Sequence, residues 1–224
     1  MSTCPRFSPS LMCANPLRMA EQLDIINRRA SICHIDIMDG HYVKNIALSP
    51  DFVARVKERI SIPMDVHLMV EDPDDYIDRL VDAGCGYISV HADVIERNAF
   101  RTLRRIKERR CHTGVALNPS EGVERIRNYA HLIDKLTIMT VDAGFAGQPF
   151  INAMLGKFNQ ASKLRNELGL DFLIEADGAC NAESFAGLKT SGCDVVVVGA
   201  SGLFTLAEDL DTAFDILERN WANA

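Results

Sequence analysis

Three short segments of the chain carry imidazoles and carboxylates at a spacing that could do chemistry: His34-Ile35-Asp36, Asp65-Val66-His67 and Glu175-Ala176-Asp177. Each lies in a run rich in strand-forming residues, and in a strand residues two apart point to the same face. His34 and Asp36 therefore aim together, as do Asp65 and His67, with His67 nearer the C-terminal end of its run. Asp177 ends an apolar run, where a charge is costly unless it finds a partner. If these strand ends meet, His34, Asp36, His67 and Asp177 form a set of two imidazoles and two carboxylates. That donor set suits Zn²⁺, Fe²⁺, Mn²⁺ or Co²⁺ and does not select among them. Taken singly, a pair such as His34 and Asp36 fits an ordinary polar strand end that hydrogen-bonds a loop better than it fits a site.

A second signal comes from glycines. Gly144-Phe145-Ala146-Gly147 and Gly199-Ala200-Ser201-Gly202 each follow a further strand-like run. Glycine lets successive backbone N–H groups turn toward an anion, and a helix N-terminus behind them adds a favourable dipole. Either loop alone is also a plausible tight strand-to-helix turn, but two of them flanking Asp177-Gly178 point to a phosphate. There is no GxSxG elbow and no GxxxxGK[ST] loop, so serine-type hydrolysis and P-loop nucleotide chemistry have no support. His91 and Asn118 read as supporting hydrogen-bond partners at strand ends, and Glu183 and Lys189 as a solvated helix face. Met12, Met69 and Met139 read as lining of the core or of a mouth, where Met69 can pack on a substrate.

The elements that must position these groups are visible in the periodicity. Strand-like runs at Arg6–Met12, Ile32–Ile37, Met64–Met69, Tyr87–His91, Thr113–Leu117, Lys135–Val141, Phe172–Ala176 and Asp194–Gly199 alternate with amphipathic helical stretches such as Leu17–Arg29 and Asp74–Ala83. Pro50-Asp51, Asp72-Pro73-Asp74 and Asn118-Pro119-Ser120 read as helix starts, and Gly84 and Gly192 as helix ends. Such alternation builds either an open doubly wound sheet or a closed (β/α)8 barrel. The polar or glycine residues ending the runs recur at a mean spacing of about 27 residues from Ser10 to Gly199. Eight similar units then fill residues 1–224 as one domain, which favours the barrel, with its active-site mouth at the C-terminal strand ends.

Composition narrows the partners. Lys and Arg number 24 against 31 Asp and Glu, a net charge of −7, which argues against a nucleic-acid footprint. Seven scattered cysteines without a CxxC pair exclude a disulfide scaffold or zinc ribbon and suit a reducing, cytoplasmic location. The first residues lack the apolar stretch of a signal peptide, and no apolar run approaches the roughly 20 residues of a membrane span.

In order along nearly the whole chain, several segments resemble the ribulose-phosphate 3-epimerase family. They are Ser8-Pro9-Ser10-Leu11-Met12, the block from His34 to Val43 (HIDIMDGHYV), Asp65-Val66-His67-Leu68-Met69-Val70, the block from Gly144 to Ile151 (GFAGQPFI), Glu175-Ala176-Asp177-Gly178 and Val198-Gly199. Within that family the chain looks closest to the D-allulose-6-phosphate 3-epimerase branch. That narrower likeness rests on Ser10-Leu11-Met12-Cys13, Leu48-Ser49-Pro50, Met139-Thr140-Val141-Asp142, Gly178-Ala179-Cys180-Asn181 and Ser201-Gly202-Leu203-Phe204.

The resemblance implies an α/β fold, a (β/α)8 TIM barrel of the ribulose-phosphate-binding type, and an isomerase that epimerises a ketose phosphate at C3. The branch implies interconversion of D-allulose 6-phosphate and D-fructose 6-phosphate by two-base proton transfer. The alternatives are D-ribulose 5-phosphate 3-epimerisation, giving D-xylulose 5-phosphate, and a non-catalytic sugar-phosphate-binding barrel. A decarboxylase of the orotidine-phosphate type would need a Lys between carboxylates, and Asp36-Ile37-Met38-Asp39 has none. The resemblance further implies one divalent metal ion per chain on His34, Asp36, His67 and Asp177. Asp36 and Asp177 would be the acid/base pair, one resting ionised and the other protonated. Ser10 and His67 would contact substrate. Gly144, Phe145, Ala146, Gly147, Gly178, Ala179, Gly199, Ala200 and Ser201 would surround the phosphate, and the chain would join a homo-oligomer, a dimer or larger. The chain departs from the family pattern at Lys44 and Ala143, where Pro is usual, and at Ala179, where Gly or Ser is usual. Pro fixes φ and Gly frees it, so these departures bear on loop stiffness and substrate preference.

Overall fold

The computed structural model describes residues 6–224. Its strands are β1 (Arg6–Pro9), β2 (Cys33–Met38), β3 (Met64–Met69), β4 (Tyr87–His91), β5 (His112–Leu117), β6 (Lys135–Met139), β7 (Leu173–Asp177) and β8 (Val195–Val198). All pair in parallel, in the order β1-β8-β7-β6-β5-β4-β3-β2. The two ends of that order meet through a parallel bridge between Ser10, just past β1, and His34 of β2. The barrel therefore closes at two residues already singled out for their chemistry.

Helices α1 (Met19–Arg29), α2 (Pro50–Lys57), α3 (Asp74–Asp82), α4 (Ala99–Glu108), α5 (Leu155–Glu167), α6 (Phe185–Thr190) and α7 (Leu210–Asn223) cover the outside. Ser49 caps α2 by accepting from Phe52 N at 3.3 Å, and Pro50 occupies the first turn, where its missing N–H is no loss. Gly84 and Gly192 end helices at φ of +82° and +84°, as expected. Two expectations change. β1 stops at Pro9, and Leu11–Cys13 form a 3₁₀ turn that buries Leu11 rather than continuing the strand to Met12. Beyond Asn118-Pro119-Ser120 the chain forms a 3₁₀ stretch, Val123–Leu132, not an α-helix. Val123, Ile126, Tyr129 and Ala130 are its buried side chains, and the first three recur at the period of three at which a 3₁₀-helix aligns its side chains.

Along the strands the side chains alternate between two different environments. Outward-facing Ile35, Ile37, Val66, Leu68, Ile88, Val90, Val115, Leu117, Leu136, Ile138, Ile174 and Val196 join helix residues such as Phe158, Leu164, Phe214 and Leu217 in one apolar core. The inward set is largely polar and equally buried: His34, Asp36, Asp65, His67, Ser89, His91, Lys135, Thr137 and Glu175, with Met38, Met69 and Met139 at its upper end. Gly114 of β5 makes room for this set, because a Cβ there would lie 2.1 Å from Ser89 Oγ. Among the described residues, no helix is long and apolar enough to cross a membrane.

Candidate active site

Four of the inward side chains converge where the C-terminal strand ends meet. His34 Nε2 lies 3.3 Å from Asp36 Oδ1 and 3.6 Å from Asp177 Oδ2. His67 Nδ1 lies 3.4 Å from Asp36 Oδ1 and 3.3 Å from Asp177 Oδ2. One ligand atom from each of the four lies within 4.8 Å of the other three. Both nitrogens are fully buried, and neither makes a hydrogen bond. Buried polar atoms left without partners are rare, and here two of them face the same pair of carboxylate oxygens. The residues thus fit a divalent cation held between imidazole and carboxylate donors, consistent with Zn²⁺, Fe²⁺, Mn²⁺ or Co²⁺.

The opposite edge of each imidazole is held by a partner. His34 Nδ1 is 2.9 Å from Asp65 Oδ2; a carboxylate only accepts, so Nδ1 carries a proton and Nε2 is the nitrogen left for a cation. His67 Nε2 is 2.9 Å from His91 Nε2. Burial, reinforced by His67, holds His91 well below the ordinary histidine range, so it is neutral and can accept. That leaves His67 Nδ1 for the cation. Ser10 Oγ donates to Asp36 Oδ2 at 2.6 Å, which turns the other oxygen, Oδ1, toward the two imidazoles.

Burial and the two imidazoles act on the carboxylates of the site in opposite directions. Burial would raise the Asp36 carboxyl, but His34 and then His67 outweigh it and hold it well below the usual carboxylate range. Burial likewise opposes ionisation of Asp177, yet interactions with His34 and His67 bring it down to about 2. Both shifts have the same cause, the two imidazoles that lie between the carboxylates. Burial works against charge on His34 and His67 too, and the surrounding carboxylates lift both. A cation would take the place of those imidazole protons.

A cavity of about 600 Å³ opens above these groups, a size suited to a small metabolite. Ser10, Asp36, Met69 and Asp177 line it together with Met38 and Met139. So do all the residues expected around a phosphate: Gly144, Phe145, Ala146, Gly147, Gly178, Ala179, Gly199, Ala200 and Ser201. Gly144, Gly147 and Gly178 have φ of +110°, +84° and +118°, which only glycine adopts readily. Ala179 follows at φ +51°, a strained setting for a residue with a Cβ. After β8, Ala200–Phe204 form one wide helical turn whose first backbone bonds run from Leu203 and Phe204 back to Gly199 O. Its leading N–H groups precede those bonds. Glu183, read as part of a solvated face, stands at the cavity wall, whereas Lys189 caps the chain end by donating to Ala222 O and Ala224 O.

Residues beneath the site were not assigned roles from sequence. Lys135, fully buried on β6, donates to Asp65 Oδ2 at 2.5 Å and to Glu175 Oε1. Ser89 Oγ donates to Asp65 Oδ1 at 3.0 Å, and Thr137 Oγ1 to Glu175 Oε1 at 2.8 Å. Burial works against the Lys135 charge, but Asp65 and Glu175 raise it overall. Burial pushes Glu175 up despite Lys135. A signal was present: Asp65 and Glu175 sit two residues before His67 and Asp177, hence on the same face, and Lys135 shares a face of its own strand with Thr137 and Met139.

With this geometry in view, the comparisons with known proteins are specific. The profile of the ribulose-phosphate 3 epimerase family matches residues 6–204. Ribulose-phosphate 3-epimerase of Aquifex aeolicus (strain VF5) is 37% identical over 207 residues, covering 91% of each chain. The enzyme of the same name from Bacillus subtilis (strain 168) is 36% identical over 198 residues, covering 88% of this chain and 91% of that one. Among solved structures, KGPDC from Streptococcus mutans in complex with D-R5P superimposes with a TM-score of 0.73 at 13% identity, over 98% of both chains. A 3-hexulose-6-phosphate synthase gives 0.67 at 14% identity, over 96% of this chain and 99% of that one. At such identities the superpositions speak for the TIM barrel alone. The sequence match extends from β1 through the loop after β8 and so includes every residue of the cavity wall. On that ground this chain belongs to the ribulose-phosphate 3-epimerase family, isomerases that act on sugar phosphates.

Proposed function

We propose that the chain is a metal-dependent 3-epimerase of a ketose phosphate, with D-ribulose 5-phosphate as substrate and D-xylulose 5-phosphate as product. The observation that carries this reading is the pair Asp36 and Asp177, on β2 and β7, approaching one buried donor set from two sides of the same cavity. Inverting C3 requires removal of a weakly acidic proton beside the C2 carbonyl and return of a proton to the other face. A divalent cation on His34, Asp36, His67 and Asp177 would supply Lewis-acid polarisation of that carbonyl. Asp36 and Asp177 would exchange the roles of base and acid according to which epimer is bound, the ionised one taking the C3 proton and the other entering the turnover with the proton it delivers to the opposite face. Ser10 fixes the Asp36 carboxylate through its 2.6 Å hydrogen bond. Met38, Met69 and Met139 cover the cavity with apolar surface and so keep water from the deprotonated carbon. The glycine loops after β6, β7 and β8 would hold the phosphate through backbone N–H groups, a means open to an acidic protein.

The pentulose is favoured by the named relatives, which are ribulose-phosphate 3-epimerases. A second reading, epimerisation of D-allulose 6-phosphate, is favoured by where the branch-like residues lie. Ser10, Met12, Cys13, Met139, Asp142, Asn181 and Ser201 all line the cavity rather than the outer surface. A side-by-side assay of both sugar phosphates, with metal content measured on the same preparation, tests the two. A clear preference for ribulose 5-phosphate is the expected result, and a preference for allulose 6-phosphate would transfer the assignment. Turnover of neither by metal-loaded protein would remove the epimerase reading.

A further inference from the structure

We propose that Lys135 is a positioning residue for the metal pocket, holding from inside the barrel the two strands that present His67 and Asp177 and, through Asp65, the imidazole of His34. The inference rests on the reading that His34, Asp36, His67 and Asp177 bind a cation. Lys135 lies on β6, two inward positions before the cavity-lining Met139, and its side chain is fully buried. Burying an ammonium is costly, and a well-packed apolar side chain would serve stability as well or better. Its two ionic contacts are therefore informative.

The first contact, Asp65 Oδ2, is the same oxygen that accepts from His34 Nδ1 at 2.9 Å. Ser89 occupies the other Asp65 oxygen at 3.0 Å. With both oxygens engaged, the carboxylate cannot rotate without losing a partner, so the His34 ring plane is fixed and Nε2 stays aimed at the pocket. Asp65 also sits two residues before His67 on β3. The second contact, Glu175, sits two residues before Asp177 on β7 and is braced by Thr137 at 2.8 Å. One ammonium thus ties β3 and β7 to β6 directly beneath His67 and Asp177, and reaches His34 through Asp65.

The test uses full-length protein stripped of metal and titrated with Co²⁺, whose visible absorption reports ligand geometry. Lys135→Met alone leaves two carboxylates facing each other and is expected to lose stability. The double variant Lys135→Met, Glu175→Gln removes the cation together with one of its carboxylates and keeps the local charge balanced. That variant should keep the wild-type circular dichroism and bind Co²⁺ about 10- to 100-fold more weakly, the usual cost of losing a supporting partner. Its Co²⁺ absorption bands should shift, and kcat should fall while KM stays within about twofold of wild type. Wild-type Co²⁺ affinity and spectrum in the double variant would overturn the role of Lys135 while leaving the metal site standing. Failure of the wild-type protein to bind Co²⁺ would overturn the metal reading and this proposal with it.

Discussion

The floor of the cavity and its rim solve different problems with different parts of the polypeptide. The floor is made of side chains on strands: His34, Asp36, His67 and Asp177, backed by Asp65, His91, Lys135 and Glu175. Seven of these eight are buried, and Asp177 is the partly open one. The rim is made of backbone on loops, at Gly144, Gly147, Gly178, Ala179 and Gly199, with positive φ at four of the five. Moving a proton or holding a cation needs particular functional groups kept in place, which rigid strands and close packing provide. Holding a phosphate needs only N–H groups turned inward, which loop conformation provides. Change of side chain should therefore damage the floor through chemistry and the rim through shape.

The largest effect is expected at the floor. Asp177→Asn, and equally Asp36→Asn, should lower epimerase kcat by about 10³-fold, within the range for loss of an acid or base, with circular dichroism unchanged. Turnover near wild type in a folded variant would end the two-base reading. At the rim, Gly178→Ala should raise KM for the sugar phosphate by about tenfold and cost about 1–3 kcal/mol of stability, the scale of a strained backbone. The reason is that its φ is +118° and a Cβ would lie 2.5 Å from Val141 Cγ2. A fall in kcat as steep as that of the floor variants, with KM unchanged, would break the division of labour. The smallest effect sharpens it: Ala179→Gly should relieve a φ of +51° and raise stability by about 0.5–1 kcal/mol. It should leave the catalytic constants within about twofold, as thermal unfolding and steady-state kinetics on one preparation would show.

The two regions also differ in how far they can be read from the chain. The floor is legible because strand periodicity is short and strict: residues two apart share a face, so His34 with Asp36 and Asp65 with His67 declare themselves locally. The rim glycines were legible as turns, and their common purpose followed from their positions after consecutive strands. Less legible were the places where local pattern competes with packing. Arg6–Met12 read as one strand, yet the chain turns after Pro9 to bury Leu11 over the barrel end. The stretch after Asn118-Pro119-Ser120 read as the start of a helix, and its three-residue repeat of buried side chains made it 3₁₀.

By itself, then, the sequence determined the eight-unit alternation, the residues at the strand ends, the donor types available to a cation and the family. Tertiary structure decided what stands opposite what. That Lys135 meets Asp65 and Glu175, that His91 backs His67, and that Ser10 closes the barrel against His34 while orienting Asp36 are contacts between strands far apart in sequence. No local period encodes them, because they depend on the register and closure of the whole barrel. The imidazoles standing between Asp36 and Asp177 belong to the same class: composition supplies the charges, and only their placement brings both carboxyls below their ordinary range.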